Sequence, residues 1–277
     1  MMRMGEAYAT WPKTQTGPVE YHGPPAGFAP LPSIPMPRLH VNIDHIATLR
    51  QARREAVPDP VAWGLDCLKA GAHGLTLHLR KDRRHIQDAD VTRLLQATDA
   101  LVNLECSLDS EMVGIALDSG AGAFCLVPEN RSEVTTEGGL DVVGERSRLL
   151  EAVPALTERG GLVSLFVDPD LEQLDAAREV GAAFVELHTG PYANAPGGEQ
   201  EAELDRLLGA TEHAISIGLR VNAGHGLDHD NVSAVAALPG VEELNIGFAL
   251  VARAVTCGVE ESIASMLRLM GAPSRSD

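Results

Sequence analysis

Aromatic residues are scarce in this chain: two Trp, three Tyr and five Phe make up 4% of 277 residues. An aromatic-rich β sandwich or binding module is therefore disfavoured, and with 44% hydrophobic residues the interior must be aliphatic. Positive charge is also short, with 22 Lys and Arg against 39 Asp and Glu, a formal net charge of −17. That balance excludes nucleic acid and anionic membrane surfaces as partners. Small anionic substrates then require cations concentrated at one place. The four cysteines, Cys67, Cys106, Cys125 and Cys257, form no CxxC pair and read as reduced, buried thiols rather than as disulfides or a zinc site. No apolar run reaches the ~18 residues of a membrane helix, and the opening MMRMGEAYATWPK lacks the apolar core of a secretory signal. A soluble, cytoplasmic protein is expected.

Residues 1–38 hold eight of the seventeen prolines and show neither helical nor strand period. Such a segment buries too little apolar surface to offset its ordering entropy, which predicts a disordered tail. The remaining 277 − 38 = 239 residues, 39–277, are enough for one domain near the size of a (β/α)₈ barrel. From residue 39 onward short β-rich runs alternate with helical stretches, the mark of βα units on a parallel sheet. Eight strands are predicted: His40–Ile46, Gly74–Leu79, Leu101–Cys106, Ala123–Val127, Leu162–Val167, Phe184–His188, Arg220–Ala223 and Glu243–Ile246. Helices are predicted over Pro60–Ala70, Asp88–Thr98, Ser110–Ser119, Asp170–Val180, Glu199–Ile217 and Phe248–Met270. Gly71, Gly120 and Gly181 recur at helix ends, where glycine takes the left-handed conformation. Eight such units close most naturally into a barrel; no GxGxxG follows the first strand to favour an open dinucleotide-binding sheet.

A barrel of this kind carries its site at the C-terminal ends of the strands. Polar residues gather there: Asn42, Asp44 and His45; His78 and Arg80; Asn103 and Glu105; Glu186 and His188; Asn222 and His225; Asn245 and Gly247. Asn42/Asp44, His78/Arg80, Asn103/Glu105 and Glu186/His188 are i, i+2 pairs, so both members of each can face the barrel mouth. The segment His78–His85 packs four cations into eight residues of an acidic chain, and guanidinium forks suit a phosphate monoester. Arg80 is the favoured anion ligand; Arg83 and Arg84 either join it or pair with Asp82. A second phosphate site is predicted at Gly224–Gly226 and at Gly247–Phe248, where backbone N–H groups can cradle an anion. The polar loop Pro128–Asp141, with Gly138–Gly139 as a hinge, reads as a lid.

These motifs, VNIDHIATLRQAR, HLRKDRRHI, NLE, LVPENRSEVTTEGGLD, SLFVD, VELHTGPYA and VNAGHGL, in this order over about residues 39–272, resemble the pyridoxine 5′-phosphate synthase family. The resemblance implies a (β/α)₈ barrel with extra helices, commonly assembled as an octamer and using no cofactor or metal. The implied reaction joins 1-deoxy-D-xylulose 5-phosphate to 3-amino-2-oxopropyl phosphate, yielding pyridoxine 5′-phosphate, phosphate and water. It also implies roles: His78 and Glu105 as proton acceptors, His225 as proton donor, and Glu186 as a stabiliser of transition-state charge. Asn42, Arg53, Gly226, Gly247 and Phe248 would hold the amino-ketone phosphate. Asp44, His45, Arg80, His85 and Thr135 would hold the deoxyxylulose phosphate. The family's last motif usually reads NIGH, whereas this chain has NIGF, with Phe248. Two rival readings are a metal-dependent barrel lyase or hydrolase, using His78, Glu105, Glu186, His188 and His225 as ligands, and a non-catalytic phosphate-binding barrel. A Schiff-base aldolase would need a lysine in the barrel, and the chain has only Lys13, Lys69 and Lys81.

Overall fold

The computed structural model describes residues 36–129 and 138–271. Eight parallel strands close in chain order into a barrel: β1 (Arg38–Asn42), β2 (Gly74–His78), β3 (Leu101–Cys106), β4 (Ala123–Leu126), β5 (Leu162–Val167), β6 (Phe184–His188), β7 (Arg220–Gly224) and β8 (Val241–Ile246). A helix follows each strand in turn: α2 (Pro60–Ala70), α3 (Asp88–Ala97), α4 (Ser110–Ser119), α5 (Arg146–Glu158), α6 (Leu171–Glu179), α8 (Gly198–Ser216), α9 (Val232–Ala236) and α10 (Phe248–Leu269). Two further helices, α1 (Asp44–Arg53) and α7 (Gly190–Asn194), are inserted directly after β1 and β6. The expected (β/α)₈ barrel with extra helices is what the chain forms.

Local chemistry explains the boundaries. Asp59 accepts a hydrogen bond from Val61 N at the start of α2, Asp109 from Glu111 N at α4, and Asp170 from Glu172 N at α6. Each cap satisfies a backbone donor that the first turn would leave unpaired. At the other end Gly71 and Gly120 cap α2 and α4 with φ of 115° and 74°, and Gly181 follows α6 at 86°. These are the three positions singled out by the repeat. Strand β1 is shorter at its far end than predicted: Asn42 Oδ1 accepts from Asp44 N at 2.9 Å, turning the chain into α1 where a strand to Ile46 was expected. It also begins two residues earlier, at Arg38, inside the segment predicted as tail. The rest of that segment through residue 35, Thr135 and most of the predicted lid lie outside the described residues.

The main hydrophobic core lies between the strands and the helices, built from outward-facing Leu39, Val41, Leu75, Leu77, Leu104, Val185 and Leu244 against Cys67, Leu94, Met112, Leu149 and Leu250. A small apolar patch, Cys125, Val127 and Phe166, stands apart from it, and Phe184 shares the inward face of β6 with Glu186. Many of the inward positions are polar and buried: His40, Thr76, Asn103, Ser164, Glu186, Asn222, Glu243 and Asn245. Barrels usually fill this space with layers of bulky aliphatic side chains; here polar side chains occupy much of it, several of them joined by hydrogen bonds. The cysteines are all free, as expected, but Cys257 is exposed on α10 rather than buried, because the sequence around it offers no core-facing position. No helix among the described residues is long and apolar enough to cross a membrane.

Candidate active site

The two inserted helices set the site, because each starts where its strand leaves the barrel. Asp44, the first residue of α1, folds back over the mouth: its Oδ1 accepts from His78 N at 2.8 Å and its Oδ2 from Asn42 Nδ2 at 3.0 Å. One ligand atom each of Asp44, His78 and Glu105 lies within 4.8 Å of the others, three strand exits meeting at one point. Among the described residues this is the group of acid and imidazole donors close enough to hold a cation. It is not the five-residue set of the metal-dependent rival, which shares with it only His78 and Glu105. Glu186, from β6, lies deeper: its Oε2 accepts from Asn245 Nδ2 at 2.7 Å, and Cys125 Sγ lies 3.8 Å away.

Crowding and burial move these groups toward neutrality. Burial raises the Asp44 carboxyl to about 7, although the His78 N–H, Asn42 and Arg80 all oppose the shift. Burial, then the Glu186 and Asp44 carboxylates, push Glu105 well above the usual range. Glu186 rises to about 8, first by burial and then by the nearby Glu243 charge. The imidazoles move the opposite way. His78 falls to about 3 by burial with help from His85 and Arg80, His85 to about 4 by burial and Arg80, and His225 to about 4 by burial and His188. A mouth of this kind presents neutral imidazoles beside carboxyls that titrate near pH 7, the pairing that acid–base chemistry uses.

His225 adopts φ 79°, a left-handed conformation that a side chain normally disfavours. Thr189 Oγ donates to the His225 and Gly224 carbonyls, both at 2.7 Å, and holds the turn. The His225 ring packs edge-on against His188 at 5.0 Å and Phe166 at 6.2 Å. His188 Nδ1 is 2.8 Å from Asp168 Oδ1, and Gly139, at the described end of the predicted lid, hydrogen-bonds the same carboxylate. Asp168 and Glu129 were not foreseen at the site. Glu129 accepts from Lys81 N at 2.9 Å and lies 3.9 Å from both His78 Nε2 and Arg80 Nη2. Both follow a strand end, at β4 and β5, which was the available signal.

The basic loop resolves its own ambiguity. Arg84 pairs with Asp82 at 2.6 Å, and Arg83 pairs with Asp88 at 3.0 Å, so both hold the loop in shape. Arg80 is buried at the mouth, 3.3 Å from Asp82. His85 is half-buried, its ring centroid 6.1 Å from that of His78. His45 and Phe248 are exposed at the rim, their rings in tilted contact with centroids 5.3 Å apart. Gly247 precedes α10, whose first backbone N–H groups face outward from the helix start, and exposed Gly226 follows His225 with φ 82°. Arg53 is placed differently from its companions: it is exposed in the last turn of α1, nine residues from Asp44 and therefore roughly 13 Å along the axis. Lys69 and Lys81 pair with Asp66 and Asp109, outside the mouth, so no lysine among the described residues is placed for a Schiff base.

A family model described as Pyridoxal phosphate biosynthesis protein PdxJ matches residues 39–272. A pyridoxine 5′-phosphate synthase of Synechococcus sp. (strain JA-2-3B'a(2-13)) is 54% identical over 234 residues, 84% of this chain and 98% of that protein. Among solved structures, a 3-hexulose-6-phosphate synthase superposes with a TM-score of 0.59 at 17% identity, covering 84% of this chain and 99% of the other. The tryptophan synthase α-subunit of Pyrococcus furiosus gives 0.56 at 14% identity, with 86% and 98% covered. Those two bear on the fold alone. The family match over the whole barrel and the high identity to a curated relative decide the matter: this chain belongs to the pyridoxine 5′-phosphate synthase family.

Proposed function

We infer that the chain is a pyridoxine 5′-phosphate synthase, condensing 1-deoxy-D-xylulose 5-phosphate with 3-amino-2-oxopropyl phosphate and releasing phosphate and water. The observation that carries this reading, beside the family, is the meeting of Asp44, His78 and Glu105 at one strand end, above Glu186. Imine formation, loss of phosphate and ring closure each move protons, and groups near neutrality can take and return them.

In this reading Glu105 and the neutral His78 accept protons as the carbonyl compounds condense. His225 enters the cycle neutral, so the proton it delivers is one it has first taken up. Glu186 balances positive charge as the ring closes. Asp44, His45, Arg80, His85 and Thr135 hold the deoxyxylulose phosphate, with buried Arg80 as its anion ligand. Asn42, Gly226 and the Gly247–Phe248 backbone hold the amino-ketone phosphate, whose charge suits the start of α10. Arg53 was expected in this second set; its position at the far end of α1 lends that no support. Holding both ligands in register is worth effective molarities of roughly 10⁵–10⁸ M. The chain acts in the cytoplasm as a homo-oligomer, an octamer by family resemblance; exposed Leu49, Val57 and Val255 are apolar surface available to contacts between copies.

The test is to incubate purified protein with both phosphorylated substrates and follow pyridine absorbance and free phosphate. Both signals are expected together, neither with one substrate alone, and both should survive exhaustive chelation. Turnover lost on chelation and restored by a divalent cation would favour a metal-dependent enzyme. Ligand binding without turnover would favour a phosphate-binding scaffold.

A further inference from the structure

Three buried side chains form a hydrogen-bonded line across the barrel interior. Thr76 Oγ donates to Asn245 Oδ1 at 2.7 Å, and Asn245 Nδ2 donates to Glu186 Oε2 at 2.7 Å. The three residues are 0%, 6% and 3% exposed. They come from β2, β8 and β6, which are not neighbours: β1 separates β8 from β2, and β7 separates β6 from β8. The line therefore spans the lumen instead of following the sheet. Gly224 on β7 makes room for it, since a β-carbon there would lie 2.3 Å from Glu186 Oε1.

An amide side chain has a donor end and an acceptor end of nearly the same shape, so a lone Asn can offer either to a carboxyl. The Thr76 hydroxyl can donate or accept; here it donates to Oδ1, which leaves the NH₂ turned toward Glu186. Facing a donor, a carboxyl is held more easily in its charged form; facing an acceptor, it must keep its proton. The remaining groups around Glu186 press toward the protonated form: Glu243 on β8 and burial itself. Glu105 on β3 adds a further carboxyl, which Glu186 in turn raises. Asn245 is the leading contact that opposes them, followed by Cys125 on β4.

We propose that Thr76 and Asn245 are positioning residues, a two-link relay that aims an amide donor at Glu186 and so sets the orientation and charge of that carboxyl during ring closure. The inference rests on the role of Glu186 given above.

The experiment compares Thr76→Val, which keeps the shape and removes the hydroxyl, with Thr76→Ser, which keeps the hydroxyl, and with Glu186→Gln. For each, kcat, both KM values, the pH profile of kcat and the thermal unfolding temperature are measured. Thr76→Val should lower kcat about tenfold, with both KM values changed less than about twofold. The limb of the profile that Glu186→Gln abolishes should move to higher pH, because the carboxyl has lost its donor. Thr76→Ser should return both to the wild-type values. An unchanged kcat and an unmoved limb in Thr76→Val would overturn the relay. So would equal losses of kcat in the Val and Ser variants; some fall in unfolding temperature is expected of Thr76→Val in either case, because Asn245 Oδ1 loses its donor. A fully active Glu186→Gln would instead remove Glu186 from the reacting centre, and the relay with it. An impaired Glu186→Gln beside a normal Thr76→Val would sink the relay alone.

Discussion

Asp90→Asn should destabilise the barrel far more than a one-atom change suggests. Arg50, in the last turn of α1, meets Asp90 on α3 through two parallel bonds, Nη1 to Oδ1 and Nη2 to Oδ2, each 2.7 Å. The side chains are 9% and 3% exposed. Asp90 Oδ2 also accepts from Gln87 N at 2.9 Å, and Arg50 Nη2 donates to the His85 carbonyl at 3.1 Å. An asparagine puts an NH₂ where one of these oxygens stood. Every partner around it is a donor, so whichever way the amide turns, one end faces donors. The guanidinium stays charged and buried with no countercharge at its fork. Breaking a buried pair in this way costs about 3–5 kcal/mol. At ~2–4 °C per kcal/mol for a domain of this size, the unfolding midpoint should fall by roughly 6–20 °C. The same change loosens the Arg50 fork, which holds the His85 carbonyl together with Gln87 Nε2, so KM for the deoxyxylulose phosphate should rise more than that for the amino-ketone phosphate. Replacing both residues, Arg50→Met with Asp90→Leu, should recover most of the stability and leave a deficit of about 1 kcal/mol from the lost cap on Gln87 N. Calorimetry of the two variants decides it; a midpoint shift below about 2 °C in Asp90→Asn would refute the reasoning.

Glu105→Gln keeps the shape of the site but removes a base, and turnover should fall by roughly 10²–10⁴ while calorimetry still registers binding of both substrates. Phe248→His restores the family's usual residue; with the phosphate held by backbone N–H groups, KM for the amino-ketone phosphate should change less than about threefold, and a larger gain would assign that phosphate to the side chain. Stability should peak between about pH 4.5 and 6.5. His40, His78, His85 and His225 have folded values of about 3 to 4, so acid below the unfolded value of 6.5 favours the unfolded chain, which binds the protons they refuse. Asp44, Glu186 and Glu243 have folded values of about 7 to 8, so they keep protons that the unfolded chain releases above about 4.5, and stability is lost as pH rises through 7 to 8. A urea midpoint higher near pH 8 than near pH 5.5 would contradict this balance.

Strands such as Leu101–Cys106, Leu162–Val167 and Phe184–His188 were legible to the residue, because each aliphatic run begins and ends on a polar or glycine-rich break. His40–Ile46 was overrun because Val41, Ile43 and Ile46 continue the apolar pattern past the turn that Asn42 makes with Asp44. Helix α1 was hidden for the same reason. Within the site, Asp44, His78 and Glu105 do converge; period two accounts for His78 and Glu105 at their strand ends, whereas Asp44 arrives from the first turn of α1 rather than by strand alternation. Period two carries no information about which strands face each other across the lumen. The Thr76–Asn245–Glu186 line and the contact of His40 Nε2 with Glu243 Oε2 at 3.0 Å were therefore invisible. Arg83 and Arg84 were legible as cations, but their partners depend on where Asp88 and Asp82 come to lie.

A lumen occupied by amides, hydroxyls and carboxyls behaves unlike one filled with branched aliphatic chains. Methyl groups tolerate small slips of one strand past another, because dispersion contacts have little angular preference. Hydrogen bonds lose strength when bent or stretched, so each cross-lumen bond penalises such a slip. The stagger of the staves is thereby locked from within, and the carboxyls of the candidate site keep their spacing without help from the outer helices. The corollary is brittleness at the centre: an aliphatic replacement at Asn245 or Asn222 would strand a neighbour's polar atom where water cannot easily reach it.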